Sequence, residues 1–309
     1  MRAWRLDDSA AAPRLLTEEI PTPEPGPGEV MVRIEATGVT LTELLWYPTT
    51  HTKTGERRND AVPGHEFSGV VAATGAGTQG VTVGDEVYGM NDWYADGATA
   101  EYCLTRPEWI ARKPSNLSHS EAASVPIGAL TAWQGLLDRA RLQRGEGVLI
   151  HGGAGAVGTW AIQFARRQGA RVITTASARN REFLLQLGAQ QVIDYRTERF
   201  EDSVQDIDVV FDAVGGTTLQ RSWEVLGPDG RMVTIAADSE ALSDERTKKA
   251  FFIVGPNREQ LTQIGRLLEE GEIQPVVDVV VPFARAGAAY AGEIKERSGR
   301  GKVVVAIGE

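Results

Sequence analysis

Gly147-Val148-Leu149-Ile150-His151-Gly152-Gly153-Ala154-Gly155-Ala156-Val157-Gly158 decides the fold of this chain. Val148 to Ile150 is a short apolar run, the glycines then make a turn, and Trp160 to Arg167 spaces Ile162, Phe164 and Ala165 along a helix that faces a sheet. Gly153, Gly155 and Gly158 fit G-x-G-x-x-G, the turn that seats a dinucleotide pyrophosphate on a helix N-terminus. Glycine is needed because the turn takes backbone angles that a β-carbon resists, and because the phosphate must approach the main chain closely. With Ala154, Ala156 and Val157 between them, these glycines form the expected phosphate cradle. Arg171-Val172-Ile173-Thr174-Thr175 reads as the next strand and completes a βαβ unit. That context favours a cofactor turn over a purely structural one.

The end of that second strand bears on which cofactor. An NAD site places Asp or Glu there, to accept from the ribose 2′-hydroxyl. Here the chain reads Ala176-Ser177-Ala178-Arg179-Asn180-Arg181, with no acid. A 2′-phosphate asks for cations and hydroxyl donors, and Ser177, Arg179 and Arg181 are on hand. The segment therefore predicts NADP(H). Ser177 would also serve as a helix cap and the arginines as solvated surface, and both uses are compatible with phosphate binding.

The chain has 309 residues and a formal net charge of −10, which argues against nucleic acid or an anionic membrane as the main partner. Its apolar runs are too short to span a bilayer, and Met1 to Asp7 lacks the apolar core of a signal peptide and reads as a first strand. A single cysteine, Cys103, allows no internal disulfide and no multi-cysteine zinc site. A cytoplasmic protein is expected, with Cys103 as a buried, inert thiol.

Texture divides the chain. Up to about residue 115, short strand-like runs (Val30 to Ile34, Phe67 to Ala72, Glu86 to Gly89, Thr99 to Leu104) are punctuated by Gly, Pro and Asp. From Glu121 onward strands and helices alternate, with a buried strand at Asp208 to Asp212, further strands at Gln191 to Asp194, Arg231 to Ala236 and Phe251 to Val254, and a helix from Leu219 to Leu226. The tail holds an amphipathic helix, Asn257 to Glu270, then strand-like Val276 to Val281 and Val303 to Ile307 around a helix near Ala284 to Arg297. The fold class is α/β: a mostly antiparallel β domain plus a doubly wound parallel-sheet domain. Pattern alone leaves open whether the tail extends the parallel sheet or returns to the β domain.

Six ordered blocks give these domains a family resemblance. They are Pro25-Gly26-Pro27-Gly28-Glu29-Val30, Pro63-Gly64-His65-Glu66-Phe67-Ser68-Gly69-Val70-Val71, Val83-Gly84-Asp85-Glu86-Val87, Gly128-Ala129-Leu130-Thr131-Ala132-Trp133, Asp208 to Gly216, and Arg300-Gly301-Lys302-Val303-Val304. The chain resembles the medium-chain dehydrogenase/reductase superfamily, and within it the zinc-free, zeta-crystallin-like quinone oxidoreductases. The resemblance implies a GroES-like substrate domain, 1–115 with a C-terminal return at 257–309, interrupted by a Rossmann NADP-binding domain, 116–256. It implies hydride transfer from NADPH to a small hydrophobic quinone or α,β-unsaturated carbonyl, and a homodimer formed through the sheet edge near Phe251 to Val254. It also implies cofactor contacts from Thr131, Tyr195, Phe252, Val254 and Lys302.

Where the chain departs from its zinc-dependent relatives, chemistry changes. Those relatives hold a catalytic zinc with two Cys and a His; this chain places Thr40 and Ile127 at the cysteine positions and keeps only His65-Glu66. That falls short of the three protein ligands a catalytic zinc takes, so no zinc is expected and His65 and Glu66 are read as structural. Without a Lewis acid, an acceptor that is already electrophilic is the suitable one. Thr40, Tyr47 and Thr131 are the candidate catalytic groups. Tyr47 is placed to donate to the acceptor oxygen from an apolar stretch, Leu44-Leu45-Trp46-Tyr47-Pro48, although plain packing explains Tyr47 and Trp46 equally well. Two other readings compete: an alcohol dehydrogenase that recruits zinc through His65 and Glu66, and a non-catalytic NADPH-binding sensor or structural protein.

Overall fold

Alternation of apolar side chains along Val30–Val39 buries Val30, Val32 and Ile34 on one face of a sheet, and this strand is the spine of the first of two compact units. The computed structural model describes residues 1–7, 14–236 and 244–308. Its strands are β1 (Arg2–Asp7), β2 (Arg14–Glu19), β3 (Val30–Val39), β4 (Glu66–Thr74), β5 (Glu86–Met90), β6 (Tyr102–Thr105), β7 (Ile110–Arg112), β8 (Gly147–His151), β9 (Arg171–Ala176), β10 (Gln191–Asp194), β11 (Ile207–Asp212), β12 (Leu226–Thr234), β13 (Val277–Pro282) and β14 (Lys302–Ala306).

The first unit comprises residues 1–127 and 255–309. Its main sheet runs β13-β14-β3-β4-β5-β7, with β6 also on β3, and every pair but β13–β14 is antiparallel. The tail therefore returns to the β domain, a point the sequence pattern left open. β14 lies against β3 in the register Val303↔Val39. The first boundary falls later than composition placed it, because the helix His119–Ala123 packs on β3 and β4 of this sheet. A capping box explains why that helix starts where it does: Ser118 accepts from the Glu121 N–H while Glu121 accepts from the Ser118 N–H. The helix Arg258–Glu269 buries Leu261, Ile264, Leu267 and Leu268, as its period predicts, and the Tyr88 hydroxyl donates to Leu261 O at 2.6 Å to fix it on β5. The last expected helix shortens to Ala286–Tyr290, because Gly292 adopts a left-handed φ of 74° and ends it.

The second unit comprises residues 128–254. Its five strands are all parallel in the order β10-β9-β8-β11-β12. In sequence terms that is 3-2-1-4-5, a doubly wound sheet whose order reverses between β8 and β11. β8 is buried throughout, as is β11 apart from Asp208, and each buried Val, Leu, Ile or Phe there stabilises by roughly 1.5–3 kcal/mol. The helix Gly158–Gln168 crosses from β8 to β9 and stops at Gly169, whose φ is 80°. Phe251 to Val254 does not form the expected strand. Phe251 makes a single parallel bridge to Thr234, because the helix Glu245–Ala250 delivers the chain to the sheet edge only there.

Candidate active site

The glycine turn leaves the C-terminal end of β8, beside the point where strand order reverses, which is where open α/β sheets bind ligands. Gly152 turns the chain with a φ of 78°, and Gly153 N–H donates to Thr175 O at 3.1 Å. The three motif glycines are glycine for different reasons. A Cβ at Gly153 would overlap the Thr174 hydroxyl, which is itself fixed by donation to Ile150 O at 2.7 Å. A Cβ at Gly158 would overlap Gly152 O and force the helix off the strand. At Gly155 a Cβ would meet only Gly152 O, at 3.3 Å, so the protein itself leaves space there. That opening lies just before the helix Gly158–Gln168, whose Thr159 and Trp160 N–H groups donate to Gly155 O and Val157 O, so what the turn offers a pyrophosphate is close approach to the main chain and the positive end of the helix dipole.

Beyond β9, Ser177 is buried and takes the N-cap position of a short 3₁₀ turn, Ala178–Asn180, without a side-chain cap bond; its Oγ accepts from Asn180 Nδ2 at 3.4 Å. Arg179 is exposed. Arg181 lies 3.3 Å from Glu198. Tyr195 is exposed just after β10, with the Arg196 guanidinium 5.8 Å above its ring. Thr131 is buried on the helix Pro126–Trp133. Phe252 and Val254 are buried too, and the Arg139 guanidinium lies 4.7 Å over the Phe252 ring.

Sequence reasoning missed His151 at the end of β8. It is fully buried, with Nδ1 3.0 Å from Thr175 Oγ1 and Nε2 2.9 Å from Ser222 Oγ. The Ser222 hydroxyl already donates to Thr218 O at 2.7 Å, so Nε2 carries the proton and Nδ1 accepts from Thr175. Burial, reinforced by the nearby Arg221, pushes the imidazole pKa down to about 4 against a weaker opposing pull from Glu201. The unfolded chain takes up this proton below about pH 6.5 and the folded chain does not until about pH 4, so stability falls as pH drops through that window. The second unit is expected to lose about 2 kcal/mol between pH 7 and pH 5 from this group alone. Denaturant titrations at the two pH values check this, and His151→Asn should flatten the difference.

In the first unit, four ionisable side chains, Glu43, His65, Glu66 and Lys302, are buried together with Thr40 at their rim. Glu43 Oε1 lies 2.6 Å from His65 Nδ1 and accepts from Gly64 N–H at 2.7 Å. His65 Nε2 meets Ala95 O at 3.1 Å. A carbonyl and a carboxylate both accept, so both ring nitrogens donate and the ring is an imidazolium. Burial alone would lower its pKa; the Glu43 carboxylate and the Ala95 carbonyl outweigh it and hold the pKa above the usual value. Trp93 packs on this ring at 5.1 Å between centroids, and Trp46 packs on Trp93 at 5.0 Å.

Glu66 Oε2 accepts from Ile127 N–H at 2.8 Å, and its Oε1 pairs with the Lys302 ammonium. Burial raises the Glu66 pKa, an effect that Lys302 and the Ile127 amide oppose. Lys302 Nζ also donates to Thr40 Oγ1 at 3.4 Å. Lys302, expected at the cofactor, meets Glu66 and Thr40 within the first unit. Leu41, Leu45 and Tyr47 are exposed along the segment that follows Thr40, and Tyr47 stacks on His51 at 4.3 Å. Glu43 escaped sequence reasoning although it was visible as the one acid in an apolar stretch. A cavity of about 620 Å³ in this unit is lined by Tyr94, Tyr102, Cys103 and Trp109, apart from the Thr40 cluster. Burial pushes the Cys103 thiol pKa up, which keeps it protonated.

The residues present do not suit a catalytic zinc. His65 has no lone pair to offer, and Thr40 and Ile127 bring no thiolate. Among the described residues, no three His, Cys, Asp or Glu side chains are grouped to hold a metal ion. No helix among them is long and apolar enough to cross a membrane.

Residues 26–115 match the family model for an alcohol dehydrogenase GroES-like domain, and residues 187–305 match that for a zinc-binding dehydrogenase. A protein of Arthroderma benhamiae named a probable zinc-binding oxidoreductase, mitochondrial, is 30% identical over 99% of this chain and 96% of its own. An NADPH-dependent alkenal/one oxidoreductase, chloroplastic, from Arabidopsis thaliana is 31% identical over 99% of this chain and 79% of its own. Among solved structures, the quinone oxidoreductase from Coxiella burnetii superposes with a TM-score of 0.88 at 30% identity, covering 99% of both chains. The chain therefore belongs to the medium-chain dehydrogenase/reductase superfamily, in its zinc-free quinone oxidoreductase-like branch, and is an oxidoreductase of that type.

Proposed function

We propose that this protein is an NADPH-dependent reductase of quinones or α,β-unsaturated carbonyls and works without zinc. The observation that carries the reading is the fate of the metal-ligand positions. Lys302 pairs with Glu66 and donates to Thr40, Glu66 accepts from the Ile127 N–H, His65 pairs with Glu43, and Thr40 and Ile127 bring no thiolate for a metal. A simple ketone then lacks the polarisation it needs, whereas a conjugated acceptor spreads the arriving charge itself.

When bound, NADPH supplies the hydride. Gly153 through Gly158 would hold its pyrophosphate, Ser177 and Arg179 its 2′-phosphate, and Tyr195 would lie near the adenosine ribose. Thr131 is proposed at the nicotinamide. The exposed apolar side chains Leu41, Leu45 and Tyr47 suit a flat, hydrophobic acceptor. A homodimer is part of the reading, supported by exposed Ile253 at the edge beside β12, and so is residence in the cytoplasm, supported by the lone buried thiol.

The reading is tested by mixing purified protein and NADPH with 1,4-benzoquinone, a naphthoquinone, an alkenal and an aliphatic ketone. Turnover of the conjugated acceptors is expected; turnover of the ketone alone, or stoichiometric zinc in protein purified without chelator, overturns it. For the cofactor, Arg179→Ala is expected to cost NADPH about 1.5–3 kcal/mol, roughly tenfold to a hundredfold in Kd, and to leave NADH nearly unchanged. Equal losses for the two cofactors, measured by fluorescence titration, would remove Arg179 from the 2′-phosphate.

A further inference from the structure

Lys302 is almost wholly buried, yet it lies at the start of a strand whose neighbour ends at the partly open Thr40. The register explains the meeting: Val303 faces Val39 across the antiparallel β14–β3 pair, so Lys302 and Thr40 come next in opposite directions. The ammonium is anchored from behind by Glu66, which is itself fixed by the Ile127 amide. Gly38 makes this arrangement possible, because a side chain there would overlap the Glu66 carboxylate. Lys302 Nζ, which can only donate, reaches Thr40 Oγ1 at 3.4 Å. The Thr40 oxygen thereby accepts, which leaves its own proton for another acceptor and makes it more acidic through the cation behind it.

We propose that Lys302 is a positioning residue for acceptor reduction: held by Glu66, it orients and polarises the Thr40 hydroxyl as the donor to the acceptor oxygen. This rests on the reductase reading. As hydride from NADPH forms a C–H bond at the electrophilic carbon, the carbon–carbon π pair shifts and the carbonyl oxygen becomes an enolate. Thr40 O–H bonds to that oxygen while Lys302 stabilises it at second hand, and a solvent proton completes the saturated carbonyl. The help matters most where charge is concentrated on one oxygen, as in an enone, and least for a quinone, whose product anion is delocalised over the ring.

The test compares an enone with 1,4-benzoquinone for Thr40→Val, Thr40→Ser and the charge-balanced pair Lys302→Met with Glu66→Gln. Thr40→Val and the pair are each expected to lower kcat with the enone by on the order of tenfold to a hundredfold. With benzoquinone the change should stay within about threefold, and Thr40→Ser should retain most of the enone rate, because the donor is kept. Adding the Lys302–Glu66 changes to Thr40→Val should cost little more, since both act through one hydroxyl. Should the pair fail to fold, Lys302→Gln, which keeps a donor without charge, is expected to give a smaller enone-selective loss. Equal losses for the two acceptors, or losses that multiply, overturn the proposal. Wild-type protein inactive on both acceptors overturns the reductase reading instead, before any variant is made.

Discussion

Replacing Glu43 by alanine is expected to destabilise the first unit by about 3–5 kcal/mol, because it strands an imidazolium in the interior. His65 is sealed from solvent, and Glu43 supplies both its counter-charge and an acceptor for the Gly64 amide. Removing the carboxylate leaves three options, each costly: an unpaired charge, a neutral ring with one nitrogen unsatisfied, or water in the new hole. Glu43→Gln is the informative companion. An amide oxygen in the place of Oε1 still accepts from Gly64 N–H and from the Nδ1–H of a neutral ring, while Nε2 gives up its bond to Ala95 O, so roughly 1–2 kcal/mol should be lost. Denaturant titration at neutral pH reads both. A Glu43→Ala loss under about 1 kcal/mol would mean that His65 is not charged in the folded protein.

The second large effect is a contrast between two glycines of one turn. Gly155→Ala should fold normally, because its new methyl meets only one oxygen at 3.3 Å, yet it should weaken NADPH by more than tenfold by filling the space left for phosphate. Gly158→Ala should weaken binding as well, but it should also destabilise the second unit by about 1–3 kcal/mol, since its methyl overlaps the backbone of Gly152. Melting curves taken with and without NADPH separate the two. If Gly155→Ala binds as well as the parent, the phosphate does not approach that residue.

Much of this was legible because periodicity and glycine chemistry are local. The βαβ unit around Gly153 to Gly158 and the amphipathic helix Arg258–Glu269 follow from spacing alone. The six ordered motifs placed the family. What stayed hidden depends on partners far apart in sequence. Nothing near Lys302 announces that its ammonium will meet Glu66 and Thr40, more than two hundred residues away; strand register brings them together. His151 carries no local signal; Ser222 and Thr175, brought to either side of its ring by the fold, define its role. The Phe251 to Val254 run had a strand's composition, but the end of the preceding helix left it only a one-residue bridge. Trp93 lies over His65 through tertiary packing alone, with no sign of it in the local sequence.

The return of β14 to the side of β3 has a consequence for how the protein is made. Residues 30–39 leave the ribosome more than 260 residues ahead of the strand that will cover one of their edges. For that interval the nascent first unit presents an unfinished sheet, with open backbone donors and acceptors of the kind that recruit a foreign strand. The second unit, whose five strands are contiguous in the chain, has no such wait and can close during synthesis. Biogenesis should then proceed inside out, the nucleotide-binding unit first and the lysine-bearing strand last. The Thr40–Lys302 contact would be among the final events of folding, so a chain stalled or cut before residue 302 would hold a finished glycine turn and an incomplete first unit.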